Sequence, residues 1–172
     1  ALVGDRLKGR LSSEFPAAIT RKVYMHEWIN TNGRGGTLVN ANDTLILDPG
    51  LIIKSGHKTI NGSKYPFIVQ DGTLIAEGTA ANPIVFTSFR DTLYGGETRV
   101  DGDTVSARAG DWAGLNISDL FNDNSGTAKN SRVRNIIVRY GNNGFFSEMG
   151  DQLLTASIDS VRIEQSLGRG IW

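Results

Sequence analysis

The sequence predicts an all-β protein folded as a right-handed parallel β-helix, a solenoid with an atypical N-terminal cap and inserted loops. Three observations lead to this class. The apolar runs in residues 44–88 are short and bounded by Gly, Pro, Asn and Asp, so no 3.6-residue apolar stripe can develop. Residues 45–50 (LILDPG) are echoed 22 positions later by residues 67–72 (FIVQDG). Residues 133–139 are echoed 25 positions later by residues 158–164.

Composition sets limits on the kind of protein and on its partners. The chain has 172 residues, 39% of them apolar, which is enough for one domain with its own core. Lys plus Arg and Asp plus Glu each number 18, so no net field attracts nucleic acid or an anionic membrane. Cysteine is absent, which excludes disulfides and thiolate chemistry, and no apolar run is long enough to span a bilayer.

The N-terminal residues 1–36 do not follow the repeat, and we expect them to form a cap and lead-in to a solenoid over residues 37–172. Residues 17–28 tolerate a helix. Alternation of Val23 and Met25 with Tyr24, His26 and Trp28 favours a strand over residues 22–29 instead. Residues 30–36 (NTNGRGG) are expected to be a loop.

The first echo predicts two stacked coils. Asp48-Pro49-Gly50-Leu51 fits a type II turn, because Pro fixes φ at the second position and Gly accepts a positive φ at the third. The 22-residue register sets Lys54 opposite Ala76, although one position should face solvent if the other faces the core. Either the alternation of inward-facing and outward-facing residues shifts by one position after the turn, or Lys54 lies on a bend and points outward. Pro83 is expected to head a strand over residues 84–87.

Two polar stretches interrupt the pattern. Residues 89–110 are rich in Gly and acidic residues, and we predict that they form a long loop inserted at one corner of the tube. Trp112 is expected to cover the core at the foot of this loop. Residues 118–130 are expected to be a second polar loop.

The second echo makes explicit contact predictions. Its register stacks Arg134 on Asp159 and Arg139 on Glu164, each pair worth about 0.2 to 1 kcal/mol. Residues 143–146 (NGFF) similarly match residues 169–172 (RGIW). The sequence stops in the middle of a coil, so we expect the native chain to continue beyond residue 172. Exposed coil edges at Ile171 and Trp172 are expected to allow self-association, which makes an extracellular filament one alternative function.

These stretches resemble right-handed parallel β-helix repeat proteins of bacterial surfaces and secretions. The resemblance rests on LILDPGLIIK, FIVQDGTLIAEGTAANPIVFTS, the insert DTLYGGETRVDGD and GDWAGLNI, and it covers residues 37–172. It implies an extracellular or cell-surface location. It also implies a cell-envelope or extracellular polymer as partner, with polysaccharide as one candidate. Proteins of this kind include adhesins, envelope components and polysaccharide-acting enzymes, so the fold alone does not select a function.

A group of carboxylates in and beside the insert is the candidate metal site. Calcium takes six to eight oxygen ligands, and a Gly-rich loop with acidic residues two apart can bend several around one ion. Arg99 and Arg108 dilute the charge, and solvated acidic loops are common. Calcium is therefore the one candidate cofactor, weighed against a merely solvated loop. The candidate ligands are Asp91, Glu97, Asp101, Asp103 and Asp111.

No set of catalytic residues is predicted. A lyase or hydrolase would display carboxylates and basic residues on an outer sheet, as Arg134, Arg139, Asp159, Arg162 and Glu164 do, but a charge ladder explains the same residues. The two histidines lie in unrelated stretches and form no triad. We therefore expect a non-catalytic structural, envelope or adhesive module. A polysaccharide lyase or glycoside hydrolase, with its cleft on the outer sheet or on further coils, is the alternative.

Overall fold

The structure, a computed structural model, describes residues 8–14, 23–26, 37–39, 42–56, 67–70, 72–99, 103–118, 130–146 and 157–171. These residues contain short strands and no α-helix. The strands are β1 (Gly9–Leu11), β2 (Tyr24–His26), β3 (Thr37–Val39), β4 (Thr44–Leu47), β5 (Ile52–Ser55), β6 (Phe67–Gln70), β7 (Thr73–Glu77), β8 (Ile84–Ser88), β9 (Leu115–Ser118), β10 (Arg132–Arg139), β11 (Phe145–Phe146) and β12 (Ser157–Glu164).

The strands pair in parallel, each with strands of the coils before and after it. One sheet has the order β1-β4-β7-β10-β8-β5-β2, with β12 also paired to β10, and the other has the order β11-β9-β6-β3. The first sheet bends at β10, whose first half pairs with β7 and whose second half pairs with β8. Each coil thus contributes to three faces, with strands such as β4, β5 and β6 in one turn. This arrangement confirms the predicted right-handed parallel β-helix.

A single residue makes the corner between the first two faces in the later coils. Asn135 in β10 and Ser160 in β12 adopt positive φ angles of 46° and 55°. Asn tolerates this left-handed region better than most residues because its short side chain bonds locally. Here Asn135 Nδ2 donates a hydrogen bond of 3.1 Å to the carbonyl of Gly78 in the preceding coil. The two corners are stacked, because they lie in the same paired strands.

Inward-facing side chains form columns along the axis. Leu47, Ala76 and Val133 stack through three coils, and the adjacent face stacks Ile53, Phe86 and Val138. All six are at most 2% exposed. Fully burying an aliphatic or aromatic side chain contributes about 1.5 to 3 kcal/mol, so these columns supply most of the cohesion between coils.

The 22-residue register was wrong, although the fold that it suggested was right. Leu45 pairs with Leu74, 29 positions later, whereas Phe67 lies in the other sheet and pairs with Leu115. Strands β4 and β6 therefore belong to two faces of one coil and do not stack. They resemble each other because each is a short apolar strand facing the same core. The predicted turn is present, with Gly50 at a φ of 79° and Leu51 N bonded to the Asp48 carbonyl at 3.3 Å. Asp71 lies outside the described residues.

The 25-residue register is confirmed in detail. Val133 pairs with Ile158 and Arg139 with Glu164 along the whole of β10 and β12. The predicted cross-coil pairs form: Arg134 Nε lies 3.2 Å from Asp159 Oδ2, and Arg139 Nε lies 3.3 Å from Glu164 Oε2. The bridge between Phe145 and Ile171 extends the match to the third face.

The other predicted segments are seen in part. In the region expected to be a cap, β1 and β2 pair with β4 and β5 and thus already belong to the first coil. The expected strand is present at Tyr24–His26, and β8 begins directly after Pro83. Residues 89–99 and 103–110 form no strand, and Trp112 is fully buried, as predicted. Residues 30–36 and 119–129 lie outside the described part. Nowhere in the described part does a helix have the length and apolarity to cross a membrane.

Replacing Gly114 by Ala should strongly destabilise the fold. Gly114 has a φ of 117°, and an added Cβ would collide with the backbone carbonyl of Asn143 in the next coil. We expect a loss of about 3 to 5 kcal/mol in the free energy of unfolding, measured by urea denaturation. Gly96 is the matched control, since it also has a positive φ, 70°, but has nothing within 4 Å of an added Cβ. Gly96→Ala should cost only about 1 to 2 kcal/mol. Equal losses would contradict the close coil contact.

Candidate functional site

The candidate site lies on the outer face of the sheet formed by β5, β8, β10 and β12. Because Ile53 and Phe86 face the core, the next residues along their strands, Lys54 and Thr87, face outward. Lys54 pairs with Thr87, and Arg139 continues the row because it follows Val138, the partner of Phe86. Glu164 completes the row beside Arg139. We call Lys54, Thr87, Arg139 and Glu164 the outer column.

Lys54 is fully buried on this outer face, under the insert of residues 89–110. Its ammonium donates hydrogen bonds of 2.6 Å to the carbonyl oxygens of Asp91 and Gly96, and one of 3.1 Å to Thr98 Oγ1. Thr98 in turn donates to the Phe89 carbonyl at 2.6 Å. Lys54 therefore points outward as one alternative required, but it lies in a strand and the insert covers it. The conflict with Ala76 came from the wrong register, since Lys54 pairs with Thr87 and Met25.

Asp91 links the insert to two coils. Its carboxylate accepts a hydrogen bond of 2.7 Å from Thr87 Oγ1 and one of 3.0 Å from the amide of Leu93. The same carboxylate lies 3.4 Å from Arg139 Nε. The Asp91 side chain is only about 3% exposed, so its charge needs these partners.

A second ion-pair group closes the base of the insert. Arg90 donates from Nε to Asp103 at 3.0 Å and from Nη1 to Asp111 at 3.2 Å. Asp111 also accepts a hydrogen bond of 2.8 Å from the Ser88 hydroxyl and one of 3.2 Å from the amide of Arg108. The two ends of the insert are thus joined by charge and not by apolar packing alone.

Arg139 contacts two aromatic rings. Its guanidinium carbon is 5.1 Å from the centre of the Tyr94 ring and 5.0 Å from that of Tyr140, and Nη2 donates to the Tyr140 hydroxyl at 3.1 Å. Burial acts to lower the pKa of Arg139. The hydrogen bond to Tyr140 and the charges of Asp91 and Glu164 outweigh this effect and hold the pKa above its ordinary value. Arg139 is therefore a fixed cation at the centre of the site.

Glu97 and Arg99 form a separate pair at the insert surface. Arg99 Nε lies 2.9 Å from both carboxylate oxygens of Glu97, and the Arg99 amide donates to Oε1 at 2.8 Å. The side-chain hydrogen bond from Arg99 is the main reason why the pKa of Glu97 falls from 4.5 to about 2. Because the carboxylate is exposed, this pairing concerns the local shape of the loop rather than global stability.

Of the five predicted calcium ligands, the four that the structure describes do not converge on one point. Asp91 is paired with Arg139, Asp103 and Asp111 share Arg90, and Glu97 is held by Arg99. Asp101 lies outside the described residues. Within the described ranges no three acidic or histidine side chains are grouped to hold a metal ion. Calcium binding stays a prediction, and the observed partners of these carboxylates are cations and hydroxyls.

Two open hollows border the insert on the outer face, and Tyr94 lines the first of them. The first, of about 290 Å³, is lined by Tyr94, Pro83, Ile137, Ser160 and Arg162, among others. The second, of about 320 Å³, lies between the insert and the coil and is lined by residues that include Arg90, Leu93, Arg99, Arg139 and Tyr140. Each is large enough for a small ligand or one unit of a polymer, and each joins apolar or aromatic surface to polar groups.

Sequence reasoning identified part of this site. It predicted the pairing of Arg139 with Glu164 and the insert itself, but not the links from Lys54 and Arg139 to Asp91. The available signal was Lys54, a lone charge in the apolar strand Ile52–Ser55. A cation at such a position requires a polar cover, and the acidic insert was the nearest source of one.

Glu97 offers a pH measurement. We expect its carboxyl group to titrate near 2 in the folded protein, and toward 4.5 in Arg99→Gln, when followed by carboxyl-carbon NMR. The pairing is complete at pH values above 4.5 and is lost as the pH falls through 2, because protonation removes the charge that Arg99 binds. Glu77, which pairs with Arg132 across coils, is the control and should not respond to Arg99→Gln. A Glu97 midpoint unchanged by this substitution would contradict the assignment.

Comparison with known proteins agrees with this architecture. The sequence profile of the pectate-lyase-like beta helix domain matches residues 17–145. No curated protein and no solved structure gives a significant match. Because the matched region covers well over half of the chain and the described strands form a parallel β-helix, the chain belongs to the pectate-lyase-like beta helix domain family.

Proposed function

We propose that this chain is a non-catalytic β-helical module that acts as a rigid structural or adhesive scaffold at the cell surface or outside the cell. The observation that carries the proposal is that the buried carboxylates of the site are already bound to arginine and hydroxyl groups of the protein. Asp91, Asp103 and Asp111 each lie against an arginine, and Asp91 and Asp111 also accept hydrogen bonds from hydroxyl groups. These contacts serve to attach the insert to the coils.

Catalysis makes different demands on carboxylates. Glycoside hydrolysis uses two carboxyl groups about 5 to 10 Å apart that can reach the same glycosidic bond. Asp91 lines the second hollow, but Asp91 and Asp111 are only 2% and 3% exposed, so little of either residue is accessible to a polymer. Asp159 and Glu164 are more exposed, but they pair with Arg134 and with Arg139 and Arg162. This arrangement favours a structural role for these charges.

The second candidate is a polysaccharide-acting enzyme, and the hollow lined by Tyr94 and Arg162 favours it. The ring of Tyr94 and the exposed guanidinium of Arg162, joined by a 3.3 Å hydrogen bond, offer a stacking surface next to hydrogen-bond donors. Such surfaces suit sugar rings, which have apolar faces and hydroxyl edges. In this candidate the polymer would lie along the outer face of β10, and an extracellular or envelope polysaccharide would be the partner.

A panel of acidic and neutral polysaccharides, incubated with and without calcium, separates the two functions. The scaffold proposal expects neither new reducing ends nor new unsaturated products above the level of a heat-unfolded control. Cleavage that is lost in Glu164→Gln but kept in Asp159→Asn would overturn it. The two variants are matched, since each neutralises a carboxylate in β12 that pairs with an arginine of β10.

Self-association through the last coil is a separate proposal. Leu167 and Ile171 are 64% and 61% exposed, and β12 pairs only with β10 among the described strands. Exposed apolar side chains beside a strand edge that no other described strand covers favour contact with a second copy. Sedimentation velocity should show concentration-dependent association that is weaker in Ile171→Glu than in the control Val105→Glu, which alters an exposed residue of the insert. A monomer at all concentrations would argue against a filament.

A further inference from the structure

The insert is attached to the coils chiefly by polar contacts. Its large aliphatic side chains in the described part, Leu93 and Val105, are 70% and 42% exposed. Phe89, where the insert begins, is 3% exposed, but beyond it the buried residues between 91 and 99 are Asp91 and Thr98. A segment held by a few polar contacts, with little apolar burial, opens at lower free energy than the core around it.

What the insert covers is unusual for the wall of a solenoid. Beneath it lie Lys54 and Thr87, both fully buried, and Arg139, which is 7% exposed. Burying cations costs desolvation energy, and apolar side chains of similar size are commonly as stable or more stable in such places. Packing alone therefore does not account for this polar row. A row of cations and a hydroxyl is better suited to a second state in which it meets solvent and ligand.

Asp91 occupies this row in the manner of a bound anion. Its carboxylate accepts the Thr87 hydroxyl at 2.7 Å and faces Arg139, while Lys54 donates to the Asp91 carbonyl at 2.6 Å. Arg139 Nε is buried and makes no hydrogen bond, although carboxylate oxygens of Asp91 and Glu164 lie 3.4 and 3.3 Å away. This buried donor therefore lies close to two carboxylates without the geometry of a hydrogen bond to either.

We propose that the insert is a releasable strap, that Asp91 is a tethered carboxylate occupying an anion-binding cradle formed by Thr87 and Arg139, and that Lys54 holds the strap through the Asp91 carbonyl. Release of the strap removes Asp91 and opens the cradle to a carboxylate on another molecule. The contact is therefore autoinhibitory. The proposal concerns access to the outer column and does not depend on whether the protein cleaves a polymer. It can therefore be tested without measuring catalysis.

Amine labelling of Lys54 measures the opening directly. In the unmodified protein we expect Lys54 to react with an acetylating reagent far more slowly than the exposed Lys8, as quantified by mass spectrometry. Its labelling rate should depend on urea much less steeply than global unfolding does, because release exposes only the strap and the column. If the Lys54 labelling rate rises with urea as steeply as global unfolding does, Lys54 is exposed only by unfolding and the proposal is wrong.

Asp91→Ala should accelerate Lys54 labelling by about ten- to hundredfold, the range expected for losing one charge-assisted contact. Asp159→Ala, which also removes a carboxylate from an arginine pair, should leave it unchanged. If Asp91→Ala does not fold, Asp91→Asn replaces it. This variant keeps a hydrogen-bond acceptor but not the charge, so we expect a smaller acceleration of Lys54 labelling. A folded Asp91 variant that labels at the original rate would refute the strap.

Acetate tests the cradle itself. In the folded Asp91 variant, acetate should raise the thermal midpoint above that in chloride at equal ionic strength, because it replaces the missing carboxylate. Asp159→Ala should show no acetate-specific shift. Acetate without effect on the Asp91 variant would exclude an anion cradle, and an equal shift in both variants would indicate a nonspecific salt effect and overturn the assignment.

Discussion

Everything in this structure depends on the parallel pairing of each strand with the strands one coil before and after it. The pairing aligns like-facing side chains, so that Leu47, Ala76 and Val133 become one inward column and Lys54 and Thr87 one outward row. Inward columns can be uniform because the core accepts any apolar side chain of suitable volume. Outward rows are set by what covers them, and here the insert of residues 89–110 provides the cover.

The insert changes the chemistry of the wall without changing its geometry. Exposed rows carry surface ion pairs such as Arg134 with Asp159, which contribute little to stability in water. The row beneath the insert carries the same kinds of residue, but burial makes each contact there obligatory. Tyr94 and Tyr140 extend this effect, since both rings contact the Arg139 guanidinium. One loop thus turns an ordinary charge ladder into a buried polar site whose charged residues bind the insert.

One sequence echo predicted the strand register and the other did not, and the difference has a physical reason. The echo of residues 133–139 in residues 158–164 gave the true register because these two strands pair along their whole length, and charge pairing added information to the apolar pattern. The echo of residues 45–50 in residues 67–72 reflected only the common demands of short strands around a shared core. Strands on every face of the coil meet these requirements, so similarity between two strand sequences does not show that the two strands stack. The true offsets around the insert, 48 residues from Phe67 to Leu115, are hidden by the length of the loops.

By itself the sequence determined the class of the fold, because short apolar runs, tight turns and abundant glycine are compatible with few architectures other than a strand solenoid. It also determined the position of the insert and the pairing of Arg134 and Arg139 with the last coil. Only the tertiary structure decided the strand register of the earlier coils and the partners of Lys54 and Asp91. Those partners lie 37 positions apart in the chain, and their contact follows from how the insert folds back over the wall, which local pattern does not specify.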